Sequence, residues 1–256
     1  MKIGVCAKVA ADPNARIKVA SDGTSIVTDG VKMKLADYDE YAIEEGIRTK
    51  TAVGGEVVLF TIGTDKNTEK LMRGGALALG VDKGVLIQEE PADSLAVAKL
   101  LAAGAKKEAC DVVFTGKSST DEQSFQVGIM LAELLGWAHV SQVVELAFDG
   151  DSFTATRAMD AGVRQKVTGK LPAVITCEDG LNTVRYAKLP DIMKAKKKPL
   201  DKVSAGDLGV DVGSAKTQVG NMAPPPPRPA GKIIEGDAAT AAQELVRLLR
   251  DEAKVL

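Results

Sequence analysis

Residues 112–128 read VVFTGKSSTDEQSFQVG. An apolar, β-branched run (Val112, Val113, Phe114) stops at Gly116, passes through Lys117, Ser118, Ser119, Thr120 and Asp121, and enters helical spacing at Val127, Met130, Leu131, Leu134 and Leu135. Strand, polar loop, helix brings hydroxyls, unpaired backbone N–H groups and the positive end of a helix dipole to one point at the carboxyl end of a strand. The chemistry this suits is anion binding, and a phosphate is the natural guest. Ser, Thr and Asp are also ordinary helix caps, so the loop by itself leaves a plain capping role open for Thr120 and Asp121. Neither GxxxxGK[ST] nor a GxGxxG after a strand occurs, so no Walker loop holds the ligand.

Other chemistries find little support. The single histidine, His139, argues against a His-based metal centre or triad, and no nucleophile, base and orienting group occur together. Asp37, Asp39 and Asp121 read as caps or solvated loop charges rather than as acid/base catalysts. Cys6, Cys110 and Cys177 are far apart, odd in number and set in apolar runs, which fits buried thiols in a reducing compartment. Lys and Arg (33) nearly balance Asp and Glu (35), so no global charge recommends nucleic acid or an anionic membrane. The N-terminal MKIGVCAKV is too short and β-branched for a signal peptide, and no apolar run nears the ~20 residues of a membrane span. The expectation is a cytoplasmic chain without membrane insertion.

The elements that must position the loop follow from the periodicity. Residues 2–9 read as a buried first strand, followed by turn residues Asp12, Pro13 and Asn14 where an α/β sheet presents a ligand loop. Asp22-Gly23 and Asp29-Gly30 flank a short run, a hairpin signature. Helical spacing then begins at Asp39, residues 56–62 form a strand, 64–79 a helix, 84–88 a strand and 93–107 a helix. That alternation predicts a parallel sheet with helices on both faces. Residues 140–148, 152–157, 164–167 and 173–177 are β-like runs without intervening helices and predict antiparallel additions. From residue 200 hydrophobicity falls, a proline run occupies 224–227 and an amphipathic helix closes the chain, which together predict a domain over 1–199 and a C-terminal arm over 200–256 that packs on a partner subunit.

The segment LNTVRYAKLPDIMKAKKK (181–198), with the upstream RAMDAG and KLPAVIT, the N-terminal VCAK, the VTDGVK hairpin and the proline stretch running into AGK, resembles the β subunit of electron transfer flavoprotein over nearly the whole chain. The resemblance implies a Rossmann-like fold of the adenine-nucleotide α-hydrolase type and a heterodimer. An α subunit would hold most of a redox-active FAD, and this chain would close one side of the flavin pocket and carry a structural AMP. The implied AMP contacts are Cys6 on the first strand; Ala36, Asp37, Tyr38 and Asp39 after the hairpin; Ile62 and Gly63 at the second strand's end; and Gly116, Lys117, Ser118, Ser119, Thr120, Asp121, Glu122, Gln123, Ser124, Phe125, Gln126 and Val127. Phosphate would lie on the backbone at Phe125, Gln126 and Val127, where the following helix's dipole favours it. Lys117 would either add to that field or stand solvated.

Residues 181–198 resemble the family's docking loop for acyl-CoA dehydrogenases. Leu189, ahead of Pro190, would be the anchor, with Arg185, Tyr186, Ile192 and Met193 around it and the basic run Lys194, Lys196, Lys197 and Lys198 steering acidic partners. The implied function is an electron carrier, not an enzyme, passing electrons from dehydrogenases to a quinone oxidoreductase. Two positions depart from the family pattern: Ala158 stands where an acidic residue often follows the arginine of RAMDAG, and Pro13 where some members place an aromatic on the flavin. The alternative is an electron-bifurcating member, with a second FAD in place of AMP and NADH as donor. An N-type ATP pyrophosphatase, which shares the fold, lacks support because AKVAADP stands where its SGGxDS loop would be.

Overall fold

Strands that are apolar at every position need cover on both faces, and the centre of this chain is built on that requirement. The computed structural model describes residues 1–228 and 230–256, so Pro229 of the expected C-terminal arm lies outside the described residues. The chain divides into two units, Met1–Met222 and Ala223–Leu256.

The first unit opens with β1 (Lys2–Cys6), a small antiparallel pair β2 (Val9–Ala11) and β3 (Met33–Leu35), and α1 (Asp37–Val53). Then come β4 (Glu56–Ile62), α2 (Lys66–Met72), β5 (Lys83–Ile87), α3 (Ser94–Lys107), β6 (Val112–Gly116) and α4 (Val127–Leu135). The remaining elements are β7 (Ala138–Asp149), β8 (Ser152–Ala158), β9 (Arg164–Lys170), β10 (Ala173–Cys177), α5 (Leu189–Ala195) and β11 (Leu200–Val203). One nine-stranded sheet runs in the order β11-β5-β4-β1-β6-β10-β7-β8-β9. Successive residues of each central strand feed opposite layers. Ile3, Val5, Leu59, Phe114 and Ile175 pack with Ile43 and Ile47 of α1 on one face. Val58, Phe60, Val113 and Val174 pack with Leu100, Leu101 and Leu131 of α3 and α4 on the other.

The α/β class and the alternation through α4 match the sequence expectation. Four details differ. Residues 173–177, expected as an antiparallel addition, form β10, which lies between β6 and β7 and is parallel to both. β7, β8 and β9 form two antiparallel hairpins, and the chain passes from β9 to β10 without an intervening helix. The helix expected over 64–79 changes pitch after α2, where Arg73–Leu77 is π-helical. The third concerns the C-terminal arm. Residues 200–203 are β11, paired in parallel with β5, and the first unit continues to Met222, so the break falls well after residue 199. The hairpin expected around Asp22 and Asp29 is reduced to one antiparallel bridge, Val19 to Ile26.

The second unit, Ala223–Leu256, contains α6 (Ala238–Asp251), started by Asp237, whose carboxylate accepts the Thr240 N–H at 2.8 Å. Among the described residues no helix is long and apolar enough to cross a membrane.

Candidate functional site

After β1 the chain builds outward through β4 and β5, then returns to the other side of β1 as β6. The carboxyl ends of β1 and β6 therefore flank a topological switch point, where an open α/β sheet leaves a crevice. A cavity of about 510 Å3 opens there, lined by Cys6, Lys8, Asp39, Ile62, Gly63 and Gly116 among others.

Asp39, in the first turn of α1, organises its floor. The side chain is buried, and its carboxylate accepts the backbone N–H of Lys8 at 2.8 Å and that of Gly116 at 3.0 Å. One carboxylate thereby fixes the ends of two strands to the start of a helix. Burial pushes its pKa up from 3.8 to about 7, against the pull of those two hydrogen bonds. The close approach dictates glycine at 116, because a Cβ there would stand 2.5 Å from Asp39 Oδ1. Burial also pushes the Cys6 and Cys177 thiols up, with Asp39 adding to the effect at both, so neither is a reactive thiolate.

The loop from 117 to 126 forms one wall. Gln123 and Phe125 adopt left-handed backbone conformations (φ 48° and 57°). Beyond them α4 begins at Gln126 with no side-chain cap, and the first bond from this residue's carbonyl is to Met130 N–H at 2.9 Å. The N–H groups of the first turn thus have no helical partner. Ser118 Oγ, on the same cavity wall, is buried and makes no hydrogen bond among the described residues, and neither does Thr120 Oγ1, which lies outside the cavity lining. Buried hydroxyls without partners are costly unless something accepts or donates to them. The position of Gly128 in α4 is equally constrained, since a Cβ would lie 2.5 Å from Thr176 Cγ2.

Not every residue of the sequence reading lines the cavity. Ser118, Ser119, Glu122, Ser124, Phe125, Gln126 and Val127 do, whereas Ala36, Asp37, Tyr38, Thr120, Asp121 and Gln123 stand outside its lining. Lys117 lines it but is neither solvated nor free: its Nζ lies 2.6 Å from Glu178 Oε2 and 4.5 Å from the Tyr38 ring centroid. Glu89, Glu90, Asp93 and residues 217–219 also line it, beyond the residues that the resemblance implies. Asp93 had a legible signal, because it caps α3 at the end of β5 through Ala96 N–H at 2.9 Å, the same strand-loop-helix pattern as the 116 loop. Residues 217–219 carry no such signal.

The 181–198 segment is presented differently. Arg185 makes a two-point contact with buried Glu44 of α1, at 2.7 Å from both Nε and Nη2. At the other end Arg73 Nη1 donates to the carbonyls of Ala195, Lys196 and Lys198 at 3.1, 3.2 and 3.1 Å, capping α5 from outside. Lys198 Nζ donates to Leu77 and Val81 carbonyls, at 2.9 and 2.7 Å, so it fastens the segment to the fold instead of standing with the steering lysines as expected. Held at both ends, α5 exposes Leu189 (72%) and Met193 (63%), with Tyr186 beside them at 94%. Lys194, Lys196 and Lys197 are exposed too. Ile192 is turned inward onto the core, so it does not belong to the exposed face as expected, and Arg185 serves the loop's base.

Comparison with known proteins decides the family. The family model for the electron transfer flavoprotein domain matches residues 23–208. The chain is 40% identical over 260 residues to the electron transfer flavoprotein subunit beta of Bradyrhizobium diazoefficiens, covering all of both chains. It is 37% identical over 246 residues to that of Bacillus subtilis (93% and 94% covered) and 36% identical over 261 residues to that of Homo sapiens (100% and 99%). The chain belongs to the electron transfer flavoprotein β-subunit family. Electron transfer flavoprotein β subunits are, by their name, electron-transfer subunits rather than catalysts. No group of three His, Cys, Asp or Glu side chains fit to hold a metal occurs among the described residues. In the β7–β8 region of this electron transfer flavoprotein subunit, Arg157 Nη2 donates to Ser141 Oγ at 2.6 Å, while Arg157 Nε is buried with no partner among the described residues. Burial, and then the nearby Arg157, push the His139 pKa down.

Proposed function

We propose that this chain is the β subunit of a heterodimeric electron carrier in the cytoplasm that accepts electrons from acyl-CoA and related dehydrogenases and delivers them to a quinone oxidoreductase. An α subunit carries most of the FAD, this chain closes the flavin pocket from the Arg157 side, and the cavity between β1 and β6 holds a structural AMP. The observation that carries the reading is the pairing of an unpartnered buried hydroxyl, that of Ser118, with the uncapped start of α4 in a cavity at the switch point. An adenine nucleotide fits these residues: the phosphate meets the first-turn N–H groups and the Ser118 hydroxyl. FAD, when bound, supplies the redox chemistry, and this chain's residues supply position and electrostatics. The exposed Leu189 on a helix fastened at both ends supports transient docking. Burial of one leucine contributes about 1.5–3 kcal/mol, enough to orient a partner without trapping it.

The test is a cofactor count. The chain is coexpressed with its α partner, bound small molecules are released with acid, and FAD and AMP are quantified per heterodimer. One FAD and one AMP is the expected result. Two FAD without AMP would overturn it and make the cavity a second redox site, as in an electron-bifurcating member with NADH as donor.

A further inference from the structure

Lys8 follows β1 at the mouth of the cavity, and its main chain is fixed on both sides. Its N–H donates to Asp39 Oδ2 at 2.8 Å, and its carbonyl accepts from Ala36 N–H at 2.9 Å. Only the side chain is left to reach outward. Its Nζ lies 2.9 Å from Asp121 Oδ2 and 2.9 Å from Glu122 Oε1, across more than a hundred residues of sequence. Lys8 and Glu122 both line the cavity, so this bridge joins two of its walls. The other hydrogen bonds of the 118–125 segment stay within it, such as Gln123 N–H to the Ser119 carbonyl at 3.2 Å and Glu122 N–H to Asp121 Oδ1 at 2.8 Å. Among the described residues, every hydrogen bond tying 118–125 to the rest of the chain comes from Lys8 Nζ.

We propose that Lys8 is a clasp: its ammonium holds the 118–125 loop against the end of β1 and sets how slowly the bound nucleotide leaves. This rests on the nucleotide reading of the cavity. The rival role for a lysine here is direct pairing with the phosphate, and the two roles predict opposite signs. Asp121 and Glu122 put two negative charges near a dianion, so on electrostatics alone removing them slows release. If they are instead the loop's half of the clasp, removing them speeds it.

The experiment follows exchange of bound AMP for excess labelled AMP in the purified heterodimer. Glu122 is exposed (61% of its side chain), so Glu122→Gln leaves the fold intact. Exchange in this variant is expected to be about two- to fivefold faster, the range for a partly exposed ion pair, and about tenfold faster in Asp121→Asn/Glu122→Gln. Lys8→Met should match the double variant and Lys8→Arg should stay near the parent. Raising salt should speed exchange in the parent and much less in the double variant. Slower or unchanged exchange in Glu122→Gln and the double variant would overturn the clasp while leaving the nucleotide site standing. A heterodimer that releases no AMP on acid treatment would overturn the nucleotide reading, and the clasp with it.

Discussion

Asp39 and Leu189 are opposite uses of a single residue. Asp39 is a buried acid whose pKa is raised to about 7, so its ionisation opposes folding. The stability it contributes is complete below about pH 3.8, declines as pH rises towards 7, and is gone above. The heterodimer stripped of nucleotide should therefore melt lower at pH 8 than at pH 5, and Asp39→Asn should flatten that difference; each kcal/mol corresponds to about 2–4 °C in a chain of this length. An equal pH slope in the variant would assign the effect to another group. Leu189 is apolar and 72% exposed, so its value lies in what it later covers. Leu189→Ala should lower kcat/KM for electron transfer from an acyl-CoA dehydrogenase by about tenfold or more, from about 1.5–3 kcal/mol of lost burial. FAD content and melting temperature should not move, and a loss of flavin would show a structural role instead.

At the scale of elements, α4 and α5 are both short helices whose ends matter more than their middles. The start of α4 has no side-chain cap, which leaves its first-turn N–H groups for an anion. Gln126→Asp places a carboxylate there. The helix start gains about 0.3–1 kcal/mol, while AMP content per heterodimer should fall sharply because the new charge repels the phosphate and takes its donors. A variant that is more stable and equally rich in AMP would sink the phosphate assignment. The polar loop and the helix behind it were legible from the sequence because strand, turn and helix periodicities are local. The fastening of α5 was not. Arg73, Glu44 and Lys198 are separated from their partners by more than a hundred residues, and nothing in their local sequence marks them as the supports of α5.

Across the whole molecule, charge is nearly balanced, 33 basic against 35 acidic residues, yet Lys194, Lys196 and Lys197 are gathered and exposed at one place on and just after α5. Long-range attraction from such a patch is screened over about 10 Å at 0.1 M salt. Stopped-flow reduction by an acyl-CoA dehydrogenase should slow several-fold between low salt and 0.5 M salt, and replacing the three lysines by glutamine should remove most of that dependence. A salt response that survives the substitutions would place steering elsewhere on the heterodimer.

By itself the sequence determined the α/β class, the strand-loop-helix at Gly116 and the buried cysteines, because each depends on residue type and short spacing. The family resemblance it carries is borne out by full-length relatives. Only the tertiary structure decided that β10 is a central parallel strand, that β11 belongs to the main sheet, that Ile192 faces inward and that Lys117 is held by Glu178. It alone joined Lys8 to Asp121 and Glu122. Each of these is a choice of partner between distant segments, and a partner is set by packing and charge in three dimensions rather than by neighbours in the chain.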